Sequence, residues 1–233
     1  MPARLRHLKS AWARASRRVR GSDKAGAGDA GMATQTKTKT GKGVREMFEN
    51  ENEVKMRGET AVAAVRDMSD VKAIVSLFDD GIADILDSVQ YSAPREFYVE
   101  TRRYFEDGRR AASELDSYLR ECSKSMQALV NITIDYVGGR NNVGSYVVCD
   151  MARDMRVDLD NVWEMGRNLG DAIAMFDGKS ANLEKSIPAD DWAVLTEATA
   201  QARQAYVIWT NKAEADHDTC ASFCRDTIES CTL

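Results

Sequence analysis

Apolar side chains recur every three or four residues along most of this chain. In the first run they are Ala61, Val65, Met68, Val75, Phe78, Ile82, Ile85 and Val89, with Lys72 at the one imperfect position beside Val71. A period near 3.6 gathers such residues on one face of a helix, so the pattern predicts a long amphipathic helix that Met68, Ser69 and Asp70 can split. Upstream, Val44, Met47 and Val54 keep similar phase, but the run passes through Glu51 and Gly58 and is weaker. The second run is cleaner: Ala112, Leu115, Leu119, Cys122, Met126, Leu129, Thr133 and Tyr136 form a heptad-type seam, and Arg109, Glu114, Arg120, Glu121 and Lys124 fall outside it. A third seam runs through Val148, Ala152, Met155, Leu159, Val162, Gly166, Leu169, Ile173 and Phe176. The fourth takes Trp192, Leu195, Thr199, Ala202, Tyr206, Trp209, Ala213, Asp216, Cys220, Phe223 and Thr227.

The breaks between these runs have recognisable chemistry. Pro94 and Pro188 each follow a polar turn and precede acidic residues, Glu96 in one case and Asp190 with Asp191 in the other. That order suits the positive end of a helix dipole. Gly138 and Gly139 can end the second helix, and Asn141, Asn142 or Ser145 can cap the third. The longer stretch from Asp177 to Pro188 reads as a loop or a crossover. Strand signals are nearly absent, because β-branched residues do not alternate with polar ones. The expected fold is all-α: an elongated antiparallel bundle of about four long helices with heptad-like seams over residues 44–233.

Charge divides the chain unevenly. Residues 1–43 hold eleven Lys and Arg against Asp23 and Asp29, whereas the rest holds twenty-one basic and thirty-five acidic residues. An acidic body repels phosphate backbones and anionic lipid, so contact with nucleic acid or an anionic membrane is expected through the basic segment alone. Within that segment Leu5, Leu8, Trp12, Ala15 and Val19 line one face of an Arg-rich helix. Three readings are open: a mitochondrial import sequence, an arm for an anionic surface or nucleic acid, or upstream sequence preceding a start at Met32. The Gly-rich and Thr/Lys-rich remainder has too few apolar groups to offset ordering entropy, so residues 1–43 are expected to form a largely disordered tail. No stretch approaches the ~18–20 apolar residues that span a bilayer, and no secretory core is present. Five scattered cysteines, Cys122, Cys149, Cys220, Cys224 and Cys231, suit reduced thiols in an intracellular compartment, mitochondrial if Met1 is the start and cytoplasmic otherwise.

Chemistry-bearing constellations are few. Glu214 and His217 form an E-x-x-H, the spacing by which di-iron bundles aim a carboxylate and an imidazole inward together. The second and third seams offer no facing Glu or His, and His7 is the one other histidine. His217, Cys220 and Cys224 stand at i, i+3 and i+7, a weak zinc candidate, since helical ligands across two turns span ~10 Å along the axis. Small seam residues explain those cysteines more simply. Asp177-Gly178-Lys179-Ser180 echoes the end of a P-loop, but Ile173 stands where the motif needs glycine and no strand precedes it. Gly138 to Gly144 offer amides to an anion or a simple chain reversal.

No catalytic, cofactor-binding or metal-binding residue is therefore assigned, and no cofactor is expected. The first expectation is a non-enzymatic assembly or scaffold protein, an accessory subunit of a larger complex, that binds a protein partner or itself. Helical faces around Trp163, Trp192 and Trp209 are its candidate surfaces, with burial in the core as the competing role for these tryptophans. The alternatives are a membrane-active helical protein and a structural protein that packages nucleic acid through its basic tail.

Overall fold

The computed structural model describes Phe48, residues 50 to 140 and residues 143 to 232. The basic segment with its helix from Leu5 to Val19 and its expected disorder, together with Val44, Met47, Asn141 and Asn142, lies outside the described residues. Six α-helices and three short turns of other helical pitch make up the described chain, with no strand among the described residues.

The first column of the bundle is built from three helices. Helix α1 (Glu51–Met68) starts at Asn50, whose side chain accepts from the Glu53 amide at 3.1 Å, with Glu51 and Glu53 in its first turn. Side-chain capping and acids at the helix N-terminus satisfy its free amides and its dipole. A 3-10 turn (Ser69–Val71) leads to α2 (Lys72–Leu77), and a π turn (Phe78–Ile82) leads to α3 (Ala83–Val89). The spacing of apolar residues accounts for both irregularities. Val65, Met68, Val71 and Ile74 step by three in succession, which suits a tighter winding than 3.6; Ile74, Phe78 and Ile82 then step by four twice running, which suits a looser one. All six stay buried as a result. The break expected at Met68 to Asp70 is therefore a change of pitch within a continuous column. It also corrects the expected register: Lys72 is exposed and Val75 half-buried, while Val71 and Ile74 hold the core positions.

Helix α4 (Arg95–Val137) and helix α6 (Ala189–Cys231) each have 43 residues, and α5 (Ser145–Ser180) has 36. At ~1.5 Å per residue the longest reach about 65 Å. Pro94 and Pro188 occupy the N-cap positions of α4 and α6, and their carbonyls accept the first helical bonds from Tyr98 (3.0 Å) and Trp192 (2.9 Å). Helix α4 ends at Gly138, and Gly139 takes φ +65°, a left-handed conformation that costs glycine little. The Arg140 amide bonds Asp135 at 2.8 Å and the Gly139 amide bonds Tyr136 at 3.1 Å, the paired closure of a Schellman motif. Gly144, not Asn141, Asn142 or Ser145, is the N-cap of α5. Asp177 to Ser180 belong to α5, followed by a 3-10 turn (Ala181–Leu183), so the last connection is short and is not a crossover.

Cross-helix pairs make successive neighbours antiparallel and close them into a ring. Asp79 meets Arg109, and Asp87 meets Arg102, between the first column and α4. Tyr118 donates to Asp158 at 2.7 Å, and Lys179 pairs with Glu100, between α4 and α5. Arg203 meets Asp177 between α5 and α6, and Arg57 meets Asp226 between α6 and α1. Phe78, Phe105 and Phe176 form the aromatic centre of the core, with ring centroids 5.9–6.2 Å apart; Phe48 packs on Phe223 at 5.6 Å towards the other end. Every expected seam residue of α5 is buried. In α4 and α6 the expected Tyr136, Trp192, Tyr206 and Asp216 are half-buried, while Asp116, Ala198 and Cys224 are buried in addition.

Candidate functional site

The residues singled out from sequence around His217 lie on α6 but face different neighbours. Glu214 is exposed. His217 is half-buried beside α5: Nε2 is 3.7 Å from an Asp160 oxygen, Nδ1 is 3.8 Å from Asp218, and its ring lies 6.0 Å from that of Trp163. Cys220 turns the other way, and its thiol donates to the Ala61 carbonyl of α1 at 3.4 Å. Cys224 is buried, and burial pushes its thiol up to about 12. Burial raises Cys220 as well and takes Cys122, across on α4, to about 12. Protonated thiols of this kind pack as small apolar groups and are poor nucleophiles and poor ligands. Among the described residues no three His, Cys, Asp or Glu side chains converge to hold a metal ion.

The P-loop echo is helical, and Lys179 is engaged by Glu100 at 2.6 Å and by the Tyr104 ring at 5.9 Å. Asp216, read as a seam residue, forms a small charged group with Asp67 and Asp70 around Lys212. The ammonium sits 3.5 Å from Asp67 and 3.0 Å from Asp70. Burial opposes the charge on Lys212, yet the hydrogen bond to Asp70 and the surrounding carboxylates raise its pKa. Burial, reinforced by Asp67, raises the Asp216 carboxyl, and its Oδ2 is enclosed with no hydrogen-bond partner. These contacts fasten α6 to the junction of α1 and the 3-10 turn.

Trp209 takes the second of the two roles open to the tryptophans, burial in the core. It is buried, and its indole N–H donates to the Met68 carbonyl at 2.7 Å; Trp163 and Trp192 are half-buried. What α6 presents outward instead is a weakly polar surface. Its exposed residues include Ala193, Ala200, Gln204, Val207, Ile208 and Asn211, with Val207 53% and Ile208 47% accessible. Glu197 and Arg203 are the charges exposed within that stretch, and Glu214 and Asp218 follow it. The outward side of α4 differs: Arg103, Arg109, Arg110, Glu114, Arg120, Glu121 and Lys124 are all exposed there.

Neither protein-family models, nor curated proteins, nor solved structures contain a match to this chain. The functional reading therefore stands on its surfaces. The outward face of α6 was missed in the sequence because one side of that helix already supplies a convincing core seam. A second series spaced by four and three, from Ala193 through Glu197, Ala200, Gln204 and Val207 to Asn211, is the signal that finds it. Among the described residues no helix is long and apolar enough to cross a membrane.

Proposed function

We propose that this protein is a non-enzymatic assembly protein, a helical rod that docks a protein partner along the outward face of α6. The observation that carries this reading is the exposure of Val207 and Ile208 side by side amid Ala200, Gln204 and Asn211, where the middle of α4 presents Arg109, Arg110, Glu114, Arg120, Glu121 and Lys124 outward. An exposed apolar surface rimmed by polar residues is the usual mark of a contact site. The acidic body favours protein over phosphate or anionic lipid. The cysteines support an intracellular, reducing setting, since all five are unpaired.

The test is affinity purification from the native source with quantitative mass spectrometry, comparing the wild-type chain with Val207→Asp/Ile208→Asp. Both residues are at the surface, so the fold should be kept. Loss of a stoichiometric partner from the variant supports the reading. Identical sets of bound proteins would reject it.

A further inference from the structure

We propose that Cys149 and Cys231 form a redox latch: on meeting a small-molecule disulfide they join as a disulfide that staples the end of α6 to the start of α5. The latch does not depend on the docking role of α6. The two helices run antiparallel, and their register is fixed by the contacts of His217 with Asp160 and Trp163 and of Arg203 with Asp177. Continued towards the end of α6, that register sets Cys149 against its last turn. The Cys149 thiol lies 4.0 Å from the Ile228 carbonyl oxygen. A helical carbonyl points along the axis towards the residues that follow it, so this oxygen stands near the level of Cys231. The hydroxyl of the next residue, Thr232, donates to the same oxygen at 3.2 Å. Cys231 is the last residue of α6, and the Thr232 amide bonds Glu229 and not Ile228. The final turn is therefore loosely fastened and can shift to reach the ~4.4–6.8 Å Cα spacing of a disulfide.

Geometry sets the other cysteines aside. Cys220 and Cys224 lie one turn apart on the same helix, where Cβ atoms stay ~5–6 Å apart, beyond the ~3.5–4.5 Å of a disulfide. Cys122 is on α4, diagonally across the ring from α6, and all three are buried. Cys231 is half-buried and Cys149 is 5% exposed, so Cys231 is the sulfur a reagent reaches first and Cys149 the one that completes the exchange. Burial, and after it the neighbouring Cys149 sulfur, push the Cys231 thiol up to about 11. Both sulfurs also bear on Tyr136 of α4, the other titratable group facing them. A thiol of this kind is mostly protonated at pH 7, so the latch closes slowly and answers sustained oxidation, not a brief pulse. Cys231 gives its proton to solvent and attacks one sulfur of the small disulfide, which releases a thiolate that takes up a proton. Cys149 then gives up its proton, attacks the Cys231 sulfur and releases the second small thiol. Two protein sulfurs are oxidised and the two of the reagent are reduced, one disulfide replacing another.

The test is incubation of the reduced full chain with oxidised glutathione at about pH 8 for hours, then alkylation, unfolding and peptide mapping by mass spectrometry. A crosslink between Cys149 and Cys231 should accumulate, with Cys122, Cys220 and Cys224 recovered as thiols. Cys149→Ser should stop at a glutathione adduct on Cys231, and Cys231→Ser should leave Cys149 unmodified. Circular dichroism verifies that both variants are folded, and the half-buried position of Cys231 makes its serine variant the safer of the two. Because the link closes a long loop of chain, oxidation should raise the melting temperature of the wild type by about 5–10 °C and that of neither variant. A chain that forms no internal crosslink, a crosslink through another cysteine, or a dimer joined through Cys231 overturns the proposal. So does a crosslinked chain that melts below the reduced one, because α5 and α6 would then have to leave their register to form the bond.

Discussion

Trp209 donates its indole N–H to the main-chain oxygen of Met68 at 2.7 Å, and that bond ties the middle of α6 to the point where the first column changes pitch. At the 3-10 turn the Lys72 amide turns to Ser69 and Asp70 rather than to Met68 four residues back. The Met68 oxygen thereby keeps acceptor capacity inside the core, where water does not reach it. As the N-cap of that turn Met68 already accepts its first bond, and the indole N–H fills the remaining lone pair.

Trp209→Phe keeps an aromatic ring but removes that donor. Losing one buried hydrogen bond costs about 0.5–1.5 kcal/mol, and the smaller ring adds a void. Chemical denaturation should give a loss of about 1–3 kcal/mol from the two effects together. A variant as stable as the wild type would mean that the hydrogen bond contributes nothing to holding the pitch change.

Two glycines of α5 should respond to alanine with opposite signs. A Cβ at Gly166 would overlap the ring of Trp209, whereas one at Gly178 would meet nothing within 4 Å. Alanine favours a helix interior over glycine by about 1 kcal/mol. Gly178→Ala should therefore stabilise by about 0.5–1 kcal/mol. Gly166→Ala should destabilise by about 1–3 kcal/mol, because a well-packed indole has no room to move. Equal shifts at the two sites would contradict the close approach of α5 to α6 at Gly166.

The contrast between these helices explains what the sequence made legible. Helix α5 was readable residue by residue, because its seam from Val148 to Phe176 keeps one period throughout. The first column was readable as a helix but not in register. Steps of three from Val65 to Ile74 leave both Val71 and Lys72 near the core face, and only packing against α4 and α6 decides between them. Asp116 was hidden for a different reason: a carboxylate next to Leu115 reads as solvent-facing, yet it is 5% exposed, with one oxygen paired to Arg120 and the other without a partner. The outward face of α6 was concealed by its own composition. Alanine, glutamine and asparagine give no hydrophobic signal until their shared exposure is seen.

Arg57 and Asp226 pair between α1 and α6, with side chains 24% and 11% exposed. Burial raises the Asp226 carboxyl even though Arg57 and the Ser222 hydroxyl pull it down, so the pair does not fully recover the cost of leaving water. Arg57→Met should then lose about 2–3 kcal/mol by stranding the carboxylate, somewhat less than for a fully buried pair. Arg57→Met/Asp226→Leu should recover most of that loss. A denaturation double-mutant cycle checks both, and a double variant less stable than either single variant would contradict the account.

Asp216 gives the bundle a pH dependence of predictable sign. Its carboxyl is raised by burial first and by Asp67 second, with Lys212 pulling the other way, so the folded chain holds this proton more tightly than the unfolded chain does. Below the ordinary aspartate range, near pH 4, the group is protonated in both states and costs nothing. As pH rises through that range and past the folded pKa, ionisation in the enclosed site removes stability, and at pH 7 the whole penalty is present. Asp216→Asn deletes the charge while keeping the shape. Its melting temperature should exceed that of the wild type by about 2 °C at pH 7, and the gain should vanish at pH 3. Calorimetric melts at both pH values test this: a gain of equal size at pH 3 would show that the substitution acts through packing and not through the carboxylate.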